Sequence, residues 1–359
     1  MRVLFASTHG AGHFGPLVPF IDACIRAGDD VRVTGPPTLD PRGYPFRMGA
    51  SPPEPVLRAL WDAMPAQPPA QGEVITVGTI FAGLNVEAML PPTEQFIAEW
   101  APDLVVREVN EYASAIAAHR AAVPHVRVGI SQAFAEEGGL AFASPALEDV
   151  EPGIVAAIAD SPYVTCFPES FDPAPFRVLR YRDPAADADP KRLPDWWQGD
   201  QRPLVYMTFG SVAAAFPSAA GAYKKALAAL GDLPVRVLLT VGRELELGEL
   251  PPNVHVEQWV PQADVLAHAV LVLCHGGSGT TLGALAAGRP LVVVPLFADQ
   301  PFNAARVGLV GAGVVASVHT IGRAVERVLS DDSYAAAAAR IRQEMRTLPP
   351  VDEFLRDVL

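Results

Sequence analysis

Cysteine is scarce in this sequence, with Cys24, Cys166 and Cys274 the only three among 359 residues. They are far apart and match no metal-ligand spacing, and two of them lie in apolar runs typical of small buried hydrophobic residues. The sequence therefore predicts neither a disulfide framework nor a cysteine-based metal site.

Positive charge is also in short supply, with 27 Lys and Arg against 40 Asp and Glu and a formal net charge of −13. Nucleic acids and anionic membranes bind clustered basic side chains, so this balance argues against either as a partner. It leaves room for one phosphate group in a local pocket.

Long apolar runs and targeting features are missing as well. No stretch approaches the roughly 18 apolar residues of a membrane span. Met1 leads directly into a predicted strand at Arg2–Ala6, without the basic stretch and long apolar region of a signal peptide. We therefore expect a cytoplasmic protein with no membrane partner.

Hydrophobic residues, by contrast, make up 50% of the chain, and its length exceeds what one core usually organises. Strands and helices alternate in both halves, which predicts an α/β protein of two Rossmann-like, doubly wound domains that face each other across a cleft. The predicted boundaries are 1–182 for the first domain, 183–202 for a linker rich in Asp and Pro, and 203–334 for the second domain.

The segment 259–306 contains a strand, a glycine turn, a helix and a second strand in one unit. Such a turn can bind an anion, because glycines let the backbone approach a phosphate and the helix N-terminus points free N–H groups at it. A tight turn without a ligand would use the same glycines. His275 and Asp299-Gln300 favour a ligand, since both follow strands at the rim where open α/β sheets bind small molecules.

The first loop carries a second glycine pattern, because Gly10, Gly12 and Gly15 match G-x-G-x-x-G. A dinucleotide site also needs an acidic residue about 20 positions later, at the end of the second strand. The sequence there is Thr34-Gly35-Pro36-Pro37, which makes a nicotinamide or flavin cofactor the weaker interpretation.

The motifs in 259–306 resemble the nucleotide-sugar signature of the GT-B glycosyltransferases, specifically the family 1 enzymes that modify natural products. The resemblance implies a hexosyltransferase-type enzyme in which Trp259 stacks on the nucleobase and Asp299 and Gln300 bind the donor sugar. The implied nucleotide-sugar site consists of Ser211, Trp259, Val260, Gln262, His275, Gly276, Gly277, Ser278, Gly279, Thr280, Asp299 and Gln300.

Sugar transfer to a hydroxyl needs a base, and in the resembled family the catalytic His lies in the first loop, where His13 stands. Imidazole titrates near neutral pH, which suits this role. Glu108, at the end of its strand, is the candidate carboxylate that orients His13, although many relatives carry Asp and Glu111 follows three residues later. The alternative for Glu108 is a solvated charge paired with Arg107.

One departure from the family concerns the nucleotide. Relatives of the plant type that use uridine donors place a Glu at the position of Gly283, where it can bind both ribose hydroxyls. Loss of that carboxylate suits a deoxyribose, so we expect a dTDP-sugar donor, with a UDP-sugar as the alternative.

Residues 35–92 are rich in proline and predict loops and helices that build an acceptor pocket. The expected acceptor-binding residues are Phe81, Leu84, Phe134 and Phe142. An apolar acceptor pocket favours a transferase over the runner-up, a nucleotide-sugar epimerase, and the presence of His13 argues against a non-catalytic auxiliary subunit. The resemblance also implies that residues 335–359 return to the first domain.

The remaining expectations concern metals and assembly. Asp187 and Asp189 have the D-x-D spacing with which other glycosyltransferases hold a divalent metal, but they lie in the proline-flanked linker and predict solvated charge. We therefore expect an inverting enzyme with no metal and no cofactor beyond its nucleotide-sugar cosubstrate. The sequence leaves a monomer and a homodimer open.

Overall fold

The chain forms two compact units. The computed structural model describes residues 1–64, 67–187, 189–210, 217–242 and 245–353. Unit 1 comprises Met1–Cys166, Ala174–Tyr181 and the chain from Pro349 onward, and unit 2 comprises Phe167–Pro173 and Arg182–Leu348.

The described part of unit 1 is built on a seven-stranded parallel sheet with the strand order β3-β2-β1-β4-β5-β6-β7. Its strands are β1 (Arg2–Ala6), β2 (Asp30–Gly35), β3 (Phe46–Met48), β4 (Leu104–Glu108), β5 (His125–Val128), β6 (Tyr163–Thr165) and β7 (Leu179–Arg180). Helices cover both faces of such a sheet, which is why Val3–Ala6 of β1 and Leu104–Val106 of β4 are continuous apolar runs and are buried. The strand order reverses between β1 and β4.

Helices connect these strands. They are α1 (Ala11–Phe14), α2 (Val18–Ala27), α3 (Glu54–Ala63), α4 (Pro69–Glu73), α5 (Val86–Trp100), α6 (Ala113–Arg120), α7 (Ala133–Val150) and α8 (Ile154–Asp160), with a π-helical stretch at Val74–Asn85 between α4 and α5. Helix α2 is followed by Gly28, whose φ of 86° is the left-handed conformation that glycine adopts at helix ends.

Residues Gln71–Trp100 form a continuous 30-residue helical segment with a mean hydropathy of 1.5 in its most apolar window. By length and composition it could cross a membrane, so the expectation that no stretch reaches this range is wrong. Its apolar side chains Ile80, Phe81 and Val86 are buried in the core of unit 1, against residues such as Ile116 of α6. A third of that window is buried, so packing within unit 1 accounts for part of the segment's apolarity.

The described part of unit 2 repeats the architecture with a six-stranded parallel sheet in the order β10-β9-β8-β11-β12-β13. Its strands are β8 (Leu204–Thr208), β9 (Arg236–Thr240), β10 (Val254–Glu257), β11 (Leu271–Cys274), β12 (Leu291–Val293) and β13 (Gly313–Val315). Its helices are α9 (Pro217–Gly231), α10 (Gln262–His268), α11 (Ser278–Ala286), α12 (Gln300–Leu309), α13 (Ile321–Ser330) and α14 (Asp332–Thr347). The order reverses between β8 and β11, and the predicted pair of doubly wound α/β sheets is confirmed.

The boundaries of the units differ from the sequence prediction. Helix α14 belongs to unit 2, because its residue Tyr334 packs in the hydrophobic core of that unit. The chain returns to unit 1 only from Pro349 onward. There Val351 is buried, and the Asp352 carboxylate pairs with the Arg26 guanidinium at 2.7 Å. The predicted linker is also part of unit 2, since the indole Nε1 of Trp197 donates to the carbonyl oxygen of Asn253 at 3.2 Å.

Candidate active site

One predicted histidine in each unit lies after a strand at which the order reverses, where ligands bind in open α/β sheets. Other predicted residues of unit 2 lie elsewhere along the sheet, with Trp259 after β10 and Asp299 and Gln300 after β12. In unit 1, His13 lies in the segment after β1 and Glu108 is the last residue of β4. In unit 2, Gly210 follows β8 and His275 follows β11. The same topology thus places one imidazole at the corresponding point of each sheet.

His13 and Glu108 form a close pair, with Nδ1 of His13 3.2 Å from Oε1 of Glu108. The chain reaches this position through Gly10, whose φ of 104° permits the turn after β1 and whose carbonyl accepts from the His13 backbone N–H at 3.2 Å. The imidazole is a quarter exposed, whereas the carboxylate is fully buried. Glu108 is therefore not the solvated strand-end charge that was its alternative.

The Glu108 carboxylate is held from both sides. Thr8 donates to Oε1 through its backbone N–H at 3.2 Å and its hydroxyl at 2.8 Å, and the backbone N–H of Asn110 donates to Oε2 at 2.8 Å. Burial by itself would raise the pKa of Glu108, but the charge of His13 and the hydrogen bonds from His13, Asn110 and Thr8 outweigh it and lower that pKa below its ordinary value. The group is an anion at neutral pH.

The two charged neighbours that complicated the assignment have other partners. Arg107 is fully buried and donates to the backbone carbonyls of Glu108, Val109 and Glu111 at 3.0 to 3.2 Å, which fixes the loop after β4. The Glu111 carboxylate accepts from the backbone N–H of Ser114 at 3.0 Å and from its hydroxyl, at the start of α6. Burial raises the pKa of Glu111 despite these bonds.

A cavity of about 390 Å³ opens beside this pair. Thr8 and Asn110, which bind Glu108, line it, as does Phe81, whose ring centroid is 5.5 Å from that of His13. Most of the remaining wall is apolar and comes from α3, the 74–100 helices and the loop after β4, with Leu57, Trp61, Ile80, Val86, Met89 and Tyr112.

Of the four expected acceptor residues, Phe81 is the one that lines this cavity. Leu84 is half-buried outside its wall, and Phe134 and Phe142 on α7 are 62% and 37% exposed. Sequence reasoning missed Trp61, Met89 and Tyr112, because three segments separated along the chain meet here and no local motif connects them.

In unit 2, the ring of His275 lies between two glycines. A Cβ atom added to Gly210 would stand 2.8 Å from Nε2, and one added to Gly277 would stand 2.6 Å from it, so only glycine fits at either position. Burial lowers the pKa of His275 to about 4, and its buried Nδ1 has no hydrogen-bond partner within the described residues. His275 is a neutral imidazole at physiological pH.

Helix α11 begins immediately after this glycine turn. Gly276 has a φ of 92°, and a Cβ there would lie 2.7 Å from Cγ1 of Val293, so the tight passage from β11 to α11 depends on glycine. The first turn of α11 has backbone N–H groups without intrahelical partners, at the position where the sequence predicts an anion-binding end. Ser278 opens the helix, Gly279 is exposed, and Thr280 is half-buried.

Asn303 connects Asp299, one of the two residues expected to hold the donor sugar, to the glycine turn. The Asp299 carboxylate accepts from the Ser278 hydroxyl at 2.6 Å and from Nδ2 of Asn303 at 2.9 Å, while Nδ2 also reaches the carbonyl of Gly276 at 2.9 Å. Burial raises the pKa of Asp299 against these hydrogen bonds. Asn303 was not anticipated, although it lies one helical turn beyond Asp299.

Gln300 differs from its expected role, because its side chain supports the loop. Only 2% of the residue is exposed, and Oε1 accepts from the backbone N–H groups of Leu296 at 2.8 Å and Phe297 at 3.0 Å. Asp299, half-buried, is the better placed of the two for a ligand.

The expected nucleoside residues lie on the segment before α11. Trp259 is 72% exposed and Val260 is half-buried. Nε2 of Gln262 is 3.5 Å from Oγ1 of Thr280, and a Cβ on Gly283 would lie 2.6 Å from Oε1 of Gln262. The carboxamide of Gln262 therefore occupies the space above Gly283.

Three positions singled out in the sequence remain. Ser211 lies outside the described residues. Asp187 of the D-x-D pair is 2.8 Å from Nε of Arg182, and Asp189 is exposed.

The chain is similar to known proteins over nearly its whole length. The family of erythromycin biosynthesis protein CIII-like C-terminal domains matches residues 224–359. L-demethylnoviosyl transferase of Streptomyces niveus is 31% identical over 97% of this chain and 95% of its own length. The crystal structure of the glycosyltransferase SnogD from Streptomyces nogalater has a TM-score of 0.80 and 27% identity over 100% of this chain and 98% of that one.

The glycosyltransferase VinC, solved in complex with dTDP, shares the fold with a TM-score of 0.79 and 22% identity over 100% of this chain and 98% of its own. The matched relatives are glycosyltransferases of antibiotic and other natural-product pathways. The chain therefore belongs to the GT-B glycosyltransferases of antibiotic and natural-product biosynthesis.

Proposed function

We propose that this glycosyltransferase moves a sugar, such as a deoxysugar, from a dTDP-sugar to a hydroxyl of an apolar aglycone by an inverting, metal-independent displacement. The observation that carries the proposal is the His13–Glu108 pair, with 3.2 Å between Nδ1 and Oε1, beside an apolar cavity of about 390 Å³. That volume lies within the range of small-molecule sites.

On the acceptor side, Glu108 accepts the Nδ1–H of His13 and leaves the Nε2 lone pair to take a proton. As the aglycone oxygen bonds to the anomeric carbon, its proton passes to Nε2 and the bond from that carbon to the diphosphate breaks. Attack from the side opposite the leaving group inverts the anomeric centre. The buried carboxylate stabilises the imidazolium that forms, and a positioned base of this kind contributes about 10²- to 10⁴-fold to the rate.

On the donor side, the departing diphosphate gains negative charge that unit 2 can stabilise. His275 is neutral and can donate from Nε2, the nitrogen that Gly210 and Gly277 leave uncovered. The N-terminus of α11 adds backbone N–H groups and the positive end of its dipole. Asp299, fixed by Ser278 and Asn303, would accept hydrogen bonds from sugar hydroxyls.

The preference for dTDP rests on Gly283 and Gln262. A carboxylate at position 283 could bind both ribose hydroxyls of a uridine donor, but Gly283 has no side chain, and Gln262 fills the adjacent space. The deoxyribose of dTDP lacks one of these two hydroxyls, so it does not need a carboxylate at position 283. The complex of VinC with dTDP shows that a protein of this fold binds the nucleotide.

The metal-independence of the reaction is part of the proposal. Arg182 already pairs with Asp187, which supports a charge role for the D-x-D pair over a metal-binding one. The neutral His275 and the α11 N-terminus would supply the leaving-group stabilisation that a divalent cation supplies elsewhere. Activity should therefore persist in excess EDTA, and restoration of lost activity by Mg²⁺ or Mn²⁺ would contradict this point.

The partners follow from the same residues. The aglycone is an apolar natural product with a free hydroxyl, the cosubstrate is the nucleotide sugar, and no further cofactor enters the reaction. We place the enzyme in the cytoplasm on its sequence features.

The test combines nucleotide binding with turnover. Calorimetric titration with dTDP and UDP should show tighter binding of dTDP. Mass spectrometry should then detect glycosylated products when the enzyme is incubated with dTDP-sugars and a panel of aromatic polyketide and macrolide aglycones. His13→Ala should lower kcat by about 10²- to 10⁴-fold and change the Kd for dTDP less than about twofold. His119→Ala, an exposed histidine on α6, is the matched control.

Tighter binding of UDP would overturn the donor assignment and leave the base intact. Full activity in His13→Ala would overturn the base and leave the donor assignment intact.

A further inference from the structure

Thr8 makes two hydrogen bonds to one oxygen of a buried carboxylate. Its backbone N–H and hydroxyl donate to Oε1 of Glu108 at 3.2 and 2.8 Å, and the same Oε1 lies 3.2 Å from Nδ1 of His13. Thr8 is itself 4% exposed, in the loop after β1. Its side chain thus contacts the atom on which the orientation of His13 depends.

A glutamate needs this support more than an aspartate would. It has one more rotatable bond between the backbone and the carboxylate, and each bond that must be fixed costs entropy. Asn110 fixes the other oxygen through its backbone N–H at 2.8 Å. With both oxygens held, Oε1 stays directed at His13, and a small rotation of Oε1 would leave Nδ1 without its acceptor.

The single proton of the Thr8 hydroxyl is committed to Glu108, so Thr8 cannot serve as the base or donate a second bond to a substrate. Its neighbour stabilises the arrangement, because the Ser7 hydroxyl donates to the Thr8 carbonyl at 2.9 Å. The hydroxyl therefore acts through Glu108 and not on the sugar.

We infer that Thr8 is a positioning residue for glycosyl transfer, whose hydroxyl fixes the Glu108 carboxylate and through it the tautomer and orientation of His13. The inference rests on the proposed role of His13 as the base. It assigns a function to a residue that no motif in the sequence marks.

The test compares Thr8→Val, which keeps the shape and removes the hydroxyl, with Thr8→Ser, which keeps the hydroxyl. Loss of a hydrogen bond to a charged group predicts a fall in kcat of about ten- to hundredfold for Thr8→Val, with little change in the KM for the dTDP-sugar. Thr8→Ser should retain kcat to within about threefold. Thr34→Val is the matched control, because this buried hydroxyl donates to the Arg47 carbonyl at 3.0 Å in the same unit.

A double-mutant cycle separates positioning from general stability. Once Glu108→Gln is present, Thr8→Val should cost almost nothing more in kcat, since the path from Thr8 to His13 is already broken. Additive losses would overturn the inference, as would a Thr8→Val enzyme within about twofold of wild type or a Thr8→Ser enzyme as impaired as Thr8→Val. If Thr8→Val does not fold, Thr8→Ala replaces it with the same expected results.

The outcome for His13→Ala distinguishes this inference from the proposed function. Full activity in His13→Ala refutes the base itself. An inactive His13→Ala enzyme together with a fully active Thr8→Val enzyme refutes the role of Thr8 alone.

Discussion

Replacing Glu108 with Gln changes one carboxylate oxygen to an NH₂ group and keeps the shape of the side chain. The native carboxylate is surrounded by donors: the N–H and hydroxyl of Thr8 and Nδ1 of His13 at Oε1, and the N–H of Asn110 at Oε2. A carboxamide offers one acceptor oxygen and one donor group. It cannot satisfy both sides.

Two orientations of the glutamine are possible, and each has a different cost. With its oxygen toward Thr8, the NH₂ group opposes the Asn110 N–H, which leaves a buried donor unsatisfied at about 1–3 kcal/mol of stability. With its NH₂ toward His13, the imidazole accepts at Nδ1, carries its proton on Nε2 and cannot take the proton of the acceptor hydroxyl. We therefore expect kcat to fall by about 10²- to 10⁴-fold, the range that loss of general-base catalysis spans.

The assay measures release of nucleoside diphosphate at saturating donor and acceptor, together with thermal unfolding of the same samples. The Kd for dTDP should be unchanged, because the donor residues lie in unit 2. Glu148→Gln is the control, since this carboxylate also accepts two backbone N–H groups, from Gly153 at 2.7 Å and Val155 at 3.0 Å, on α7 of unit 1. A Glu108→Gln enzyme within about threefold of wild-type kcat would refute the reasoning.

Three further predictions concern unit 2. Gly277→Ala places a Cβ 2.6 Å from Nε2 of His275 and should weaken dTDP binding by about tenfold or more in calorimetry. Gly308→Ala is the control, because a Cβ there meets no atom within 4 Å and should leave dTDP binding unchanged. Equal dTDP affinities of the two variants would contradict the proposed role of the His275 ring. The pKa of His275 is lowered from its ordinary value near 6.5 to about 4, so the folded protein resists its protonation and loses stability as the pH falls between these values. His275→Gln should flatten this part of a Tm-against-pH curve, and parallel curves would be the negative result. Gly283→Glu should disturb Gln262 and weaken dTDP binding, and unchanged affinity would show that the space above Gly283 is open.

The sequence was most informative where function lies in one continuous segment. The strand, glycine turn and helix of unit 2 are contiguous, so their order along the chain and the family resemblance together singled out His275, the turn and Asp299. The predicted strand Arg2–Ala6 has the observed bounds of β1, because a parallel strand buried on both faces is an unbroken apolar run. The short strands β3, β7 and β13 were not predicted. The same reasoning missed α7, where Gly138, Gly139 and Pro145 are poor helix formers that tertiary packing overrides.

The sequence was least informative where side chains meet across the fold. No local pattern shows that Glu108 is buried, that Thr8 holds it, or that Gln300 turns its oxygen to the backbone of its own loop. The cavity wall likewise joins residues about 100 positions apart. The boundary at Pro349 depends on which core the last helix enters, and its composition alone does not decide this.

The cavity of unit 1 is lined by residues from two different groups of elements, the loops after β1 and β4 and the helices α3 and 74–100. One edge is formed by Thr8 and Asn110, which bind Glu108 next to β1 and β4, while the apolar wall, including Trp61 and Met89, lies on α3 and the long helical segment. If the proposed roles hold, substitutions in that wall would change the shape of the acceptor pocket while Thr8, Glu108 and His13 keep their positions. The proposed acceptor specificity and the proposed proton transfer therefore depend on different segments of the chain, so the acceptor could change while the reaction stays the same.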